Sequence, residues 1–233
     1  MADRNIIEKG IFMEIKVVRK VLDVNNTIAE QNRKLFADKN VFVLNVMSSP
    51  GSGKTTMLGK TIGRLMPEIR TAVIVGDVST TNDADRLAKT GAPVVQVNTD
   101  AFGGDCHLAA HVIAKAAENF DLAEVDLLIV ENVGNLVCPA EFDIGEDAKI
   151  VVLSVTEGED KPLKYPLMFR VCDAAVLNKI DLLPHLDYDK NEAVRNIVQI
   201  HPGIPVFEIS ACTEAGMEPW VIWLKEKVKE KHV

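Results

Sequence analysis

Long hydrophobic runs are missing from this 233-residue sequence. No apolar stretch reaches the roughly 20 residues that a membrane-spanning helix needs, and the polar, charged N-terminus does not read as a secretion signal. The cytoplasm is therefore the expected location. Positive charge is also scarce: 26 Lys and Arg stand against 34 Asp and Glu, a formal charge of −8. That balance excludes the basic face a nucleic-acid partner requires. Cysteine is sparse too. Four in a chain of this length do not make a disulfide framework, and they are read as thiols or metal ligands. Internal repeats and low-complexity tracts are absent, and the length fits one large domain with a full apolar core.

What the sequence does hold is a series of short apolar runs separated by polar, helix-like stretches. Residues 41–47, 71–77, 94–97, 125–130, 149–155, 174–177 and 205–209 read as strands. Near-continuous apolar strands alternating with helices predict an α/β fold with a mainly parallel sheet flanked by helices on both faces. Functional residues then belong at the carboxyl ends of the strands. Ahead of this core, Ile15, Val18, Val21, Leu22, Ile28 and Leu35 recur at roughly helical spacing. They predict an N-terminal helical extension over residues 1–39, either one helix or a pair broken near Asn25-Asn26. A P-loop domain over residues 40–233 follows. Packing on the sheet and a dimer contact both remain open as roles for the extension.

Ser48-Ser49-Pro50-Gly51-Ser52-Gly53-Lys54-Thr55 follows the first strand and opens a helical pattern. That order is what a phosphate-binding loop needs. The backbone N–H groups of Gly51, Ser52 and Gly53 turn inward around phosphates, and the helix N-terminus adds positive potential. Lys54 reaches the terminal phosphates, Thr55 offers its hydroxyl to Mg²⁺, and Thr56 continues the nucleotide-contacting run. Ser48 stands where the first glycine of the pattern is expected.

Asn178-Lys179-Ile180-Asp181 sits at the end of the strand over 174–177. There the Asp181 carboxylate accepts from the N1–H and exocyclic amine of guanine, a pattern adenine lacks, while Asn178 and Lys179 brace the base and the loop. The next strand ends in Ser210-Ala211-Cys212, matching the loop whose backbone N–H groups meet the guanine carbonyl. GTP is thus expected over ATP. Glu131, read as ending the strand over 125–130, is placed to bind Mg²⁺ through water, with the Gly134 N–H sensing the γ-phosphate. Ras-like GTPases carry an aspartate at the position of Glu131. Asp77, at the end of its strand, is a second candidate for the Mg²⁺ shell or for positioning the attacking water, and Asp83 a weaker one; helix capping is the competing role for Asp77. Lys54, Asp77 and Glu131 form the expected catalytic set. No glutamine stands where water would be positioned, so slow hydrolysis is expected.

Asp105-Cys106-His107 is read as opening a helix after Gly103-Gly104, where the dipole stabilises a thiolate, and Cys138 follows Glu131 by seven residues. Adjacent residues on a helix diverge, so a shared ion calls for help from a second subunit. Two thiolates and one imidazole are one ligand short of a closed tetrahedral zinc site. Metal binding and plain burial as small apolar residues are both open for Cys106, His107 and Cys138. Cys172 reads as core and Cys212 as part of the base loop. His111 reads as surface, and His185, His201 and His232 join no constellation.

Taken together, these motifs resemble those of the HypB family of hydrogenase nickel-insertion GTPases. The resemblance runs from about Asn25 to the C-terminal helix. It is carried by the phosphate loop, Gly76-Asp77-Val78, Cys106-His107-Leu108, Glu131-Asn132-Val133-Gly134-Asn135-Leu136-Val137-Cys138-Pro139, Asp160-Lys161-Pro162-Leu163-Lys164-Tyr165-Pro166 and Asn178-Lys179-Ile180-Asp181. It implies a homodimeric GTPase of the signal-recognition/MinD class that uses GTP, GDP and Mg²⁺ and helps deliver Ni²⁺ to the [NiFe]-hydrogenase large-subunit precursor. It also implies that Cys106, His107 and Cys138 bind Ni²⁺ or Zn²⁺ near the subunit interface, and that the zinc-containing HypA accessory protein is a partner. The N-terminal residues 1–39 depart from the pattern. They hold neither the cysteine motif nor the histidine-rich stretch that carries nickel in some relatives.

Because Cys138 lies only four residues past Gly134, a phosphate-driven shift of that loop moves a metal ligand, and the two sites are expected to be coupled. Two other readings stand beside this one. The chain is a maturation GTPase for another metalloenzyme, such as urease or a cobalamin enzyme, or it is a metal carrier whose nucleotide site only regulates dimerisation.

Overall fold

The computed structural model describes residues 22–77, 82–98 and 106–232. Residues 22–38 form helix α1. The order then runs β1 (Phe42–Ser48), α2 (Lys54–Leu65), β2 (Thr71–Asp77), α3 (Asn82–Ala88), β3 (Val94–Asn98), α4 (Ala110–Ala117), β4 (Leu127–Gly134) and α5 (Cys138–Glu141). It continues through β5 (Ala148–Ser154), α6 (Lys161–Lys164), α7 (Pro166–Val171), β6 (Ala174–Asn178), α8 (Lys190–Ile200), β7 (Val206–Glu208) and α9 (Met217–Lys231). Short 3₁₀ turns occupy Leu122–Glu124 and Ile180–His185.

The seven strands form one sheet in the order β3-β2-β4-β1-β5-β6-β7, and every pairing is parallel. The apolar character of β1 explains its central place, because each of its residues is buried and only a strand covered on both faces needs that. Its side chains alternate between two layers. Phe42, Leu44 and Val46 point into a core built with Met57, Leu58 and Ile62 of α2 and Trp220 and Leu224 of α9. Val43 faces the opposite layer with Phe36 of α1 and Ile113 of α4, while Met47 joins Met168 and Phe169 of α7 and Ile197 of α8. Trp220 Nε1 donates to Thr61 Oγ1 at 2.9 Å, so the one polar atom of that buried indole is satisfied.

Two expectations about element limits change, and one pair of alternatives is narrowed. Helix α1 runs through Asn25-Asn26 unbroken, the one-helix alternative; residues 1–21 of the predicted extension lie outside the described part. Asn25 and Asn32 face inward and bond to main chain elsewhere, so these polar residues fit inside the helix. Strand β4 extends to Gly134, which puts Glu131 inside the strand instead of at its end. The extension is possible because β4 is central, with β2 and β1 on either side. Helix α4 begins at Ala110, several residues later than the sequence pattern implied; Gly103-Gly104-Asp105 lie outside the described residues. Among the described residues no helix is long and apolar enough to cross a membrane.

Candidate functional site

The phosphate loop leaves β1 at Ser48, whose fully buried hydroxyl donates to Ser49 O at 2.8 Å. A serine is accommodated here in place of glycine because its side chain turns back onto the loop. Gly53, at φ 90°, caps α2 in the left-handed region that favours glycine. Around it lies a cavity of about 330 Å³ lined by Gly51–Thr56, Asp83, Arg86 and Lys179. Gly134, at the end of β4, closes against the same loop. A Cβ on it would stand 3.0 Å from Pro50 Cα, so this approach admits only glycine without backbone movement.

Glu131 is 2 % exposed and lies behind the loop. Its Oε1 accepts from Thr55 Oγ1 at 2.7 Å and stands 3.8 Å from Lys54 Nζ, while Oε2 is buried with no hydrogen-bond partner among the described residues. Burial raises the carboxyl above the ordinary glutamate range, and the Lys54 ammonium and the Thr55 hydroxyl oppose that shift. An orphaned carboxylate oxygen beside a hydroxyl is the donor chemistry that a hard divalent cation takes, so the residues fit Mg²⁺. Asp77 is the last residue of β2 and pairs with Asn98 of β3. Asp83 lines the cavity beside Arg86, 3.6 Å away. Arg86 escaped the sequence reading. Its Nη2 donates to Thr56 Oγ1 at 2.6 Å, but it sits on a helix outside any motif, and only the packing of α3 beside α2 reveals it.

The second motif closes over the same loop. Asn178 Nδ2 donates to Ser52 O at 2.9 Å, and Lys179 Nζ donates to Gly51 O at 2.7 Å. Asn178 Oδ1 accepts from Lys179 N and Ala211 N, at 2.8 and 3.0 Å. Asp181 Oδ1 is buried and has no hydrogen-bond partner among the described residues, and Asp181 is not among the residues that line the phosphate-loop cavity. The Ser210 and Ala211 N–H groups, expected to meet the base, donate instead to Ala215 O and Asn178 Oδ1.

Cys106, His107 and Cys138 come together, with their ligand atoms all within 4.8 Å of one another. Cys106 and His107 lie in a bend rather than at a helix N-terminus, so the divergence expected of helical neighbours does not apply: Cys106 Sγ is 3.8 Å from His107 Nδ1. Cys138 is the first residue of α5. The His107 ring lies against Phe142, centroids 3.7 Å apart, a contact between residues 35 positions apart that no local pattern foretells. His111 lies on α4 along a groove beside β3, and it is not among the three clustered ligands. Cys172 is buried among apolar side chains, and burial pushes its thiol well above the usual range.

Residues 42–208 match the family model of the CobW/HypB/UreG nucleotide-binding domain. Hydrogenase maturation factor HypB of Escherichia coli (strain K12) is 51% identical over 211 residues, which cover 91% of this chain and 72% of that protein. Among solved structures, the hydrogenase maturation factor HypB of Archaeoglobus fulgidus superposes with a TM-score of 0.82 at 35% identity, covering 89% of this chain and 100% of the other. HypB of Helicobacter pylori in complex with nickel also superposes with a TM-score of 0.82, at 38% identity over 88% of this chain and 95% of that one.

Proposed function

The chain belongs to the HypB hydrogenase maturation factors of the CobW/HypB/UreG family, and from that premise we propose that it is a GTPase that delivers Ni²⁺ during [NiFe]-hydrogenase maturation. One observation carries the proposal. The stretch from Gly134 to Cys138 touches the phosphate loop at Pro50 with its first residue and presents a thiol to Cys106 and His107 with its last. A γ-phosphate that moves Gly134 thereby moves a metal ligand. GTP and metal become linked sites, each changing the other's affinity by the same factor.

In this reading Lys54 and the loop amides hold the terminal phosphates, and Asp181 reads guanine. Thr55 and Glu131, with Asp77 at the neighbouring strand end, would hold Mg²⁺, which neutralises phosphate charge when bound. Ni²⁺ is the cargo, and the same three ligands also suit Zn²⁺. The working unit is a homodimer acting in the cytoplasm, with a HypA-type accessory protein and the hydrogenase large-subunit precursor as partners. Residues 1–39 are an addition to a GTPase domain spanning 40–233. Ni²⁺ titration at fixed pH, with GDP and then with a non-hydrolysable GTP analogue, tests the linkage. Different affinities are expected, and equal ones would remove it.

A further inference from the structure

The segment carrying Cys106 and His107 is gripped by asparagine side chains from two distant parts of the chain. Leu108 N donates to Asn132 Oδ1 at 3.1 Å, and Cys106 O accepts from Asn135 Nδ2 at 3.3 Å. Both asparagines belong to the stretch that follows Glu131. At the other end, Ala110 N donates to Asn25 Oδ1 at 2.9 Å, and Ala110 O accepts from Asn32 Nδ2 at 2.8 Å. Both of those asparagines lie on α1, and each also bonds to the main chain of 143–144. Leu108 itself packs directly on Gly76 near the end of β2.

Asn132 is the best-placed member of this set. It is 1 % exposed, and both ends of its amide are engaged. Oδ1 also takes Val133 N at 2.9 Å, and Nδ2 donates to Asn45 Oδ1 at 3.2 Å on β1. Asn45, fully buried, passes the chain on to Glu146 Oε1 at 3.1 Å. One residue before Asn132, Glu131 receives the Thr55 hydroxyl of the phosphate loop. A buried amide with its groups satisfied ties separate segments together, because any shift that breaks one bond strands a polar atom away from water.

We propose that Asn132, assisted by Asn135, is a positioning residue for the metal site. It fastens the Cys106–His107 segment to the phosphate-facing end of β4, while Asn25 and Asn32 hold Ala110 as the stationary end. Displacement of β4 is then transmitted to two metal ligands through Leu108, in addition to Cys138 in the same stretch. This assigns α1 a task as well: it sets the fixed end of the metal segment. The inference rests on the reading of Cys106, His107 and Cys138 as the metal site.

The test uses the full chain and Ni²⁺ alone, followed by thiolate-to-nickel charge-transfer absorption in the GDP state and with a non-hydrolysable GTP analogue. GDP affinity and thermal midpoint are measured alongside. Asn132→Ala is expected to weaken Ni²⁺ binding about tenfold, as removing an orienting partner of a metal ligand does. It should also bring the ratio of affinities in the two nucleotide states toward one, with GDP affinity held within about twofold. Asn32→Ala should weaken Ni²⁺ equally in both states and keep the ratio. Asn135→Ala, a change at an exposed bond, decides the matter if Asn132→Ala does not fold, and a smaller loss in the same direction is expected. Wild-type Ni²⁺ affinity and ratio in both the Asn132 and Asn135 variants would overturn the proposal. Unchanged Ni²⁺ binding in Cys106→Ala would instead remove the metal-site reading beneath it.

Discussion

The phosphate loop and the Cys106–His107 segment lie at the carboxyl edge of one sheet, yet they are held by opposite means. The loop is a local object: one strand end, two glycines in the left-handed region and the first turn of its own helix, with Asn178 and Lys179 as outside braces. The Cys106–His107 segment is assembled from afar, by asparagines that lie 24, 78 and 85 positions away in the chain. Changes in the loop should therefore act on nucleotide alone. Changes around the Cys106–His107 segment should act on metal alone, and only the stretch from Glu131 to Cys138 should carry the coupling between the two.

Lys54→Ala is the strongest way to sharpen that contrast. If Lys54 holds the terminal phosphates as proposed, its loss should lower single-turnover GTP hydrolysis by about a hundredfold or more, the scale seen when a preorganised charge-stabilising donor is removed. Ni²⁺ affinity in nucleotide-free protein should stay at the wild-type value, and a parallel loss would show that the two regions are not separable. Asp181→Ala comes next. Removing the unpartnered buried acceptor should weaken GDP by about tenfold to a hundredfold in a binding titration, the worth of hydrogen bonds to a charged group, and leave ADP binding unchanged.

Gly134→Ala probes the shared stretch. Its new Cβ would meet Pro50 Cα at 3.0 Å, so backbone must yield, at an expected cost of about 1–3 kcal/mol. Calorimetry should show a lower thermal midpoint, and both GDP and Ni²⁺ titrations should weaken, unlike the single-site losses above. The smallest effect concerns pH. Burial raises the Glu131 carboxyl above the ordinary value of 4.5, so the unfolded chain gives up this proton at lower pH than the folded one. Between that ordinary value and the raised one, the nucleotide-free protein binds more protons when folded, and its stability falls as pH rises through the window. Glu131→Gln should abolish this slope and raise the midpoint at neutral pH by roughly 2–4 °C, if the change is on the order of 1 kcal/mol. A midpoint profile identical to wild type would show that Glu131 is not ionised at a cost in the folded protein.

Much of this molecule was legible in the sequence because the features concerned are short-range. Strands buried on both faces must be near-continuously apolar, so all seven could be read along the chain. The phosphate loop and Asn178–Asp181 carry their geometry within a few residues. Arg86 carries no such mark, because a basic residue on a helix reads as solvated until α3 packs beside α2. The reach of β4 past Glu131 was hidden for a related reason. Asn132 breaks the apolar run, and what keeps it in the strand is a hydrogen bond to Asn45 on the neighbouring strand.

The sequence by itself determined the layered α/β architecture, the phosphate loop and the presence of two thiols and an imidazole. Each follows from local chemistry or from periodicity. Only the tertiary structure decided that Cys106 and His107 lie in a bend instead of opening a helix, and that they meet Cys138. That choice is made by hydrogen bonds from Asn25, Asn32, Asn132 and Asn135, residues that in sequence are indistinguishable from ordinary polar positions. Their partners are main-chain groups, which every residue possesses, so no pattern of side chains could announce them.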